Sequence, residues 1–169
     1  MDFRLSGISP EPFRHLFARD EAALAPLGVK RYVADDAKGF PCRVSIEHAA
    51  VGEEVLLLSY QHQPADSPYR ASGPIFVRKS AVAAFDGINE IPAPIRACLL
   101  SVRAYDASDL IVDAEVIEGA QIETLIARYF CDERVAYLHI HYARRGCFAC
   151  RVDRMSQKPF HARWQGVQA

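Results

Sequence analysis

Two histidines one residue apart, His139 and His141, stand just ahead of a cysteine pair, Cys147 and Cys150, with Arg144, Arg145 and Arg151 interleaved among them. Imidazole, thiol and guanidinium groups in so short a stretch could ligate a metal, attack an electrophile or hold an anion. Alternation along residues 136–142 places Tyr137, His139 and His141 on one face of a strand and Leu138, Ile140 and Tyr142 on the other. Arg144-Arg145-Gly146 then reads as a turn into a second strand beginning near Cys147. If that turn closes with an even number of loop residues, Phe148 and Cys150 join the histidine face; an odd loop brings Cys147 and Arg151 there instead.

Geometry weighs the three chemistries differently. A zinc site made from both histidines and both cysteines is disfavoured, because residues i and i+3 of an extended strand project to opposite faces with α-carbons about 10 Å apart. A smaller metal site built on His139, His141 and a third group such as His62 stays open. Cys150 acting as a nucleophile with His139 or His141 as its base requires a lowered thiol pKa, which nearby arginines favour, although no helix N-terminus stands behind it. An anion site draws on Arg70 in the proline-rich segment 62–74, on Arg43 and Arg78, and on Arg144, Arg145 and Arg151, whose forked donors match carboxylate and phosphate.

The elements that must position these groups form an α+β domain: a mainly antiparallel sheet of about seven strands with two principal helices packed on it. Ser9-Pro10-Glu11 opens the first helix, which carries Phe13, Leu16 and Phe17 on one face and ends at Pro26 and Gly28. The second helix follows Gly119, with Ile122, Leu125, Ile126 and Tyr129 on one face. Among the strands, Cys42 to Ile46, Glu53 to Gln61 and Ile75 to Lys79 are read from their apolar content. Asp86-Gly87 reads as a break, and the prolines at 92 and 94 as extended chain leading into a strand over 97–105. The 62–74 segment, with three prolines and a glycine, reads as a long loop of the kind that carries function.

A chain of 169 residues can bury about 70% of its unfolded surface in a single core, so one domain over 1–169 is expected, with a basic and aromatic tail at 155–169. No apolar run approaches the roughly 18 residues that crossing a bilayer takes, no export signal is read at the N-terminus, and five unpaired cysteines suit a reducing compartment. The expected location is the cytoplasm. Residues from Arg134 onward carry a charge of +6 and the remainder −7, a split that suits an anionic ligand or, equally, halves that neutralise each other within the fold or across a homodimer. Nucleic acid is not the expected partner: the stretch from Lys158 to Trp164 interleaves basic and aromatic residues, but the isoelectric point is only about 6.6.

Three segments, Gly52 to Tyr60, Ser67 to Val77 and Gly146-Cys147-Phe148-Ala149-Cys150-Arg151, resemble an uncharacterised bacterial family, domain of unknown function number 1203, over roughly residues 40 to 155. The resemblance implies a bacterial single-domain protein and brings with it no activity, cofactor or catalytic residue. Its marked segments coincide with the 62–74 loop and the C-terminal hairpin, which adds Tyr69 to Arg70 and Arg151 as ligand-binding candidates beside the catalytic candidates His139, His141 and Cys150.

The expected function is binding of a small phosphate- or carboxylate-bearing ligand at an Arg/His/Cys cleft between that loop and the hairpin. Arg70 and Arg151 would clamp the anion, and His139 or His141 would act as donor or base. The alternatives are a non-enzymatic interaction or assembly protein and a metal-binding protein using His139 and His141. No residue pattern names a cofactor, a substrate or a reaction.

Overall fold

The computed structural model describes residues 2–155, so the tail from Ser156 onward lies outside the described residues. Its strands are β1 (Phe3–Ser6), β2 (Lys30–Val33), β3 (Glu54–Gln63), β4 (Ala71–Arg78), β5 (Asp86–Ile88), β6 (Leu99–Tyr105), β7 (Ile111–Glu118), β8 (Tyr137–Tyr142) and β9 (Phe148–Arg154). They form a six-stranded sheet of order β5-β1-β9-β8-β6-β7 and a three-stranded sheet of order β2-β3-β4, and all their pairings are antiparallel. The class is α+β, as expected, but the strands number nine rather than about seven and divide between two sheets.

The expected first helix is broken in two. Helix α1 (Glu11–Arg14) runs into a 3-10 turn, Arg19 and Asp20 become extended, and Asp20 restarts the chain as α2 (Glu21–Leu24) by accepting the Ala23 amide at 2.8 Å. Phe13, Leu16 and Leu24 still bury their side chains. Residues 42–46 are not a strand: Ile46 has a φ of 55°, and only isolated bridges, Pro41 with His48 and Cys42 with Phe76, tie this segment to a ladder. Two short elements carry no signal in the sequence. Asp86–Ile88 pairs with β1 as β5, and Ala93–Arg96 forms a helical turn, α3, where the prolines had suggested extended chain.

The large sheet buries one face under α4 (Ile122–Phe130), where Leu100, Val102, Leu138, Ile140, Cys150 and Val152 pack with Leu125 and Ile126. A second core joins the small sheet, through Leu56, Leu58, Ile75 and Val77, to α1, α2 and Phe148 of β9. Side chains on the opposite face of the large sheet, among them His139 and His141, therefore meet the far end of β3. Gly119 enters α4 through a close approach: a β-carbon there would come 2.8 Å from the Arg96 and Cys98 carbonyl oxygens. Among the described residues no helix is long and apolar enough to cross a membrane.

Candidate functional site

Two β-bulges decide which side chains meet. In the β8–β9 hairpin the Tyr142 amide bonds the Cys147 carbonyl at 2.9 Å and His141 stands opposite Phe148, but Ile140 pairs with Cys150, so Ala149 is an extra residue. The even-loop expectation therefore holds for Phe148 and fails beyond it. Cys150 turns into the apolar core, fully buried, and Arg151 takes the place opposite His139. The second bulge lies between Tyr60 and Gln63 of β3 and sets His62 into the same region. The 62–74 loop shrinks accordingly, because β3 extends to Gln63 and β4 begins at Ala71.

His62, His139 and His141 gather around the Phe148 ring. His62 stacks on it with 5.1 Å between centroids, His139 meets it edge-on at 5.1 Å, and His141 meets it edge-on at 5.8 Å. The imidazoles lie 5.3 to 6.3 Å from one another. Among the described residues no group of three or more His, Cys, Asp or Glu side chains is arranged to hold a metal ion, and the positive charges of Arg103 and Arg151 face the cluster. Burial first, and then these charges, hold His139 down to about 2; burial likewise holds His141 down to about 4, against a hydrogen bond between its Nδ1 and the Gly146 carbonyl at 3.0 Å.

Beside the histidines, Tyr137 donates to Asp109 Oδ1 at 2.6 Å and accepts from Gln63 Nε2 at 2.7 Å. Its ring stacks on Tyr105 and carries the Arg151 guanidinium 3.8 Å from its centroid. Tyr69 reaches this group through Tyr105, with 6.3 Å between centroids. Arg151 also pairs with Asp153, while Arg70 bonds the Ala65 carbonyl at 2.8 Å and pairs with Asp66. The structure thus collects Tyr69, His139, His141 and Arg151 about a buried aromatic patch, holds Arg70 within its own loop and removes Cys150 to the other face. Burial pushes the Cys150 thiol above its ordinary pKa, the reverse of what a nucleophile requires. A thiol-specific reagent should therefore label exposed Cys131 within minutes in the native protein, while Cys42 and Cys150 react only on unfolding; the check is mass mapping of the labelled peptides.

A second site is carried by residues that sequence spacing did not group. A cleft of about 660 Å³ opens where the small sheet meets the hairpin turn. Leu57 and Phe76, a cross-strand pair, line it together with Pro74, and the 38–48 segment and the hairpin contribute Lys38, Arg43, His48, Arg144 and Arg145. Cys98 and Cys147 also border it, and Glu118 is its one acid among the described residues.

Arg43 is only 3% exposed. Its Nε donates to the Phe148 carbonyl at 2.7 Å, another guanidinium nitrogen donates to the Pro41 carbonyl, and the group lies over the Tyr142 ring at 5.1 Å. Burial lowers its pKa from the ordinary arginine value. Arg4, Arg14, Arg31, Arg70, Arg78, Arg96, Arg128, Arg134 and Arg151 each hold a carboxylate. Among the described residues Arg43, Arg144, Arg145 and Lys38 hold none, and outside the cleft neither do Arg19, Lys30 and Arg103. The sequence named Arg43, Arg144 and Arg145 as candidate anion ligands without locating their common cleft, and Lys38 carried no signal.

Bulged antiparallel sheets with a histidine cluster around Phe148 and a separate cleft lined by basic side chains define the class: an α+β fold with two candidate sites. The chain belongs to the family described as protein of unknown function (DUF1203), whose family model matches residues 39–154 and so takes in β3, β4 and the whole hairpin. No curated protein and no solved structure matches it.

Proposed function

We propose that this protein binds a small anionic ligand in the cleft between the small sheet and the C-terminal hairpin. The observation that carries the reading is Arg43, a buried cation with carbonyl partners but no carboxylate partner among the described residues, at the edge of an open cleft. Removing a guanidinium from water is costly, and carbonyl dipoles offset only part of that cost. A phosphate or carboxylate in the cleft would supply the missing charge, with Arg144, Arg145 and Lys38 closing on it from the rim through charge-assisted hydrogen bonds.

This reading keeps the expected ligand class and moves its clamps. Arg70 and Arg151 already hold Asp66 and Asp153, so an anion there would have to displace a carboxylate. The rim arginines Arg144 and Arg145 are exposed, which makes them safe positions for a test. Inorganic phosphate is expected to raise the melting temperature of the parent protein above that in chloride of equal ionic strength. The R144A/R145A double variant should melt near the parent temperature without phosphate and lose most of the increment, with at least a tenfold weaker apparent affinity. Equal stabilisation of parent and variant would sink the proposal.

A further inference from the structure

We infer that the cleft takes an organic anion, an oxyanion group joined to an apolar body, rather than a free inorganic ion; the inference rests on the anion-binding reading of the same cleft. Size gives the first argument. Clefts of roughly 300 to 1,000 Å³ accommodate whole organic ligands, and at about 660 Å³ this one leaves most of its space unfilled by a lone phosphate or carboxylate.

The chemistry of the lining gives the second. Its cations come from the 38–48 segment and the hairpin turn, whereas Leu57, Pro74 and Phe76 come from neighbouring positions on one face of β3 and β4. Leu57 stands opposite Phe76, and Pro74 lies two residues from Phe76 on the same face, so one side chain of β3 and two of β4 form a continuous patch. A patch of this kind favours a flat apolar group and gains nothing from a bare ion. On the segment that carries Lys38 and Arg43, His48 also lines the cleft with a buried Nδ1 that has no hydrogen-bond partner among the described residues, a place for a neutral polar atom of the ligand.

The test is calorimetric titration of the full chain with two matched pairs, phenyl phosphate against inorganic phosphate and benzoate against acetate, with phenol as the uncharged control. In the pair whose headgroup fits, the aromatic member is expected to bind at least about tenfold tighter than its inorganic or acetate counterpart, and phenol not at all. Leu57→Thr, a strand-compatible change in the apolar patch, should erase most of that preference by weakening the aromatic members far more than inorganic phosphate or acetate. R144A/R145A should weaken both members together. Equal affinities within both pairs would overturn the organic-anion inference and leave the anion site standing. No binding by any anion, or phenol binding as tightly as phenyl phosphate, would overturn both.

Discussion

Lowering the pH from 7 to 5 is expected to remove roughly 4 kcal/mol of folding stability, through His139 and His141. In the folded chain burial holds these imidazoles down to about 2 and about 4, with Arg103 and, for one or the other, Arg151 and Arg43 adding positive charge around them. In the unfolded chain both titrate near the ordinary value of about 6.5. Above 6.5 neither state carries the protons and the full stability is present. Below it the unfolded chain binds two protons that the folded chain refuses, so stability falls as pH falls, by about 2.7 kcal/mol per pH unit. The decline from His141 levels off near pH 4 and that from His139 near pH 2. Asp132, held down to about 2 by Arg134, acts in the same direction only below the usual carboxylate range, outside this window. Against a total stability of about 5 to 15 kcal/mol, the accumulated loss of about 6 kcal/mol at pH 4 is enough to unfold a protein at the low end of that range. Urea midpoints at pH 7, 6 and 5 measure the slope. Either single change, His139→Asn or His141→Asn, should lower it and the double change should leave only the smaller part due to His62 and His48, whose pKa values burial also lowers; an unaltered slope in the double variant would place the acid lability elsewhere.

Gly7→Ala is expected to destabilise by more than about 4 kcal/mol, among the largest effects a single added methyl group can have. Gly28, Gly52 and Gly146 have φ between 67° and 89° with open space around them, and alanine there should cost about 1 kcal/mol through backbone strain. Gly7 is the opposite case. Its φ is ordinary, but a β-carbon would sit inside the van der Waals envelope of the Val44 carbonyl oxygen and 2.9 Å from that of Arg43. Neither carbonyl can yield easily, since the first accepts from the Phe85 amide at 2.7 Å and the second from the Ile8 amide at 2.9 Å. The same segment carries the Arg43 side chain to the Phe148 carbonyl, so the substitution should also weaken phosphate binding in whatever protein still folds. A variant that melts within a few degrees of the parent would mean that segment 43–44 slides freely, and with it would go the rigid seat argued for Arg43.

Alternation in residues 136–142 was enough to place Tyr137, His139 and His141 on one face, because side-chain direction within a strand is a local property. The apolar centre of β3, the amphipathic pattern of α4 and the antiparallel α+β class were legible for the same reason: each follows from short-range periodicity and short connections. The family resemblance was legible as well, and the match over 39–154 bears it out. The three-residue β5 and the four-residue α3 were not, since their stability comes from pairing with β1 and packing near Gly119 rather than from their own residues.

Tertiary structure alone decided the composition of both sites. A one-residue bulge at Ala149 exchanged Cys150 for Arg151 on the histidine face, and a strand period of two makes any such slip reverse every later side chain. His62 reached His139 and His141 only through the meeting of two sheets, and Arg43 reached Phe148 across 105 residues of sequence. Local spacing sets which way a side chain points; which distant groups it then faces depends on how the sheets pack, and that is where the unpaired cations of the cleft came together.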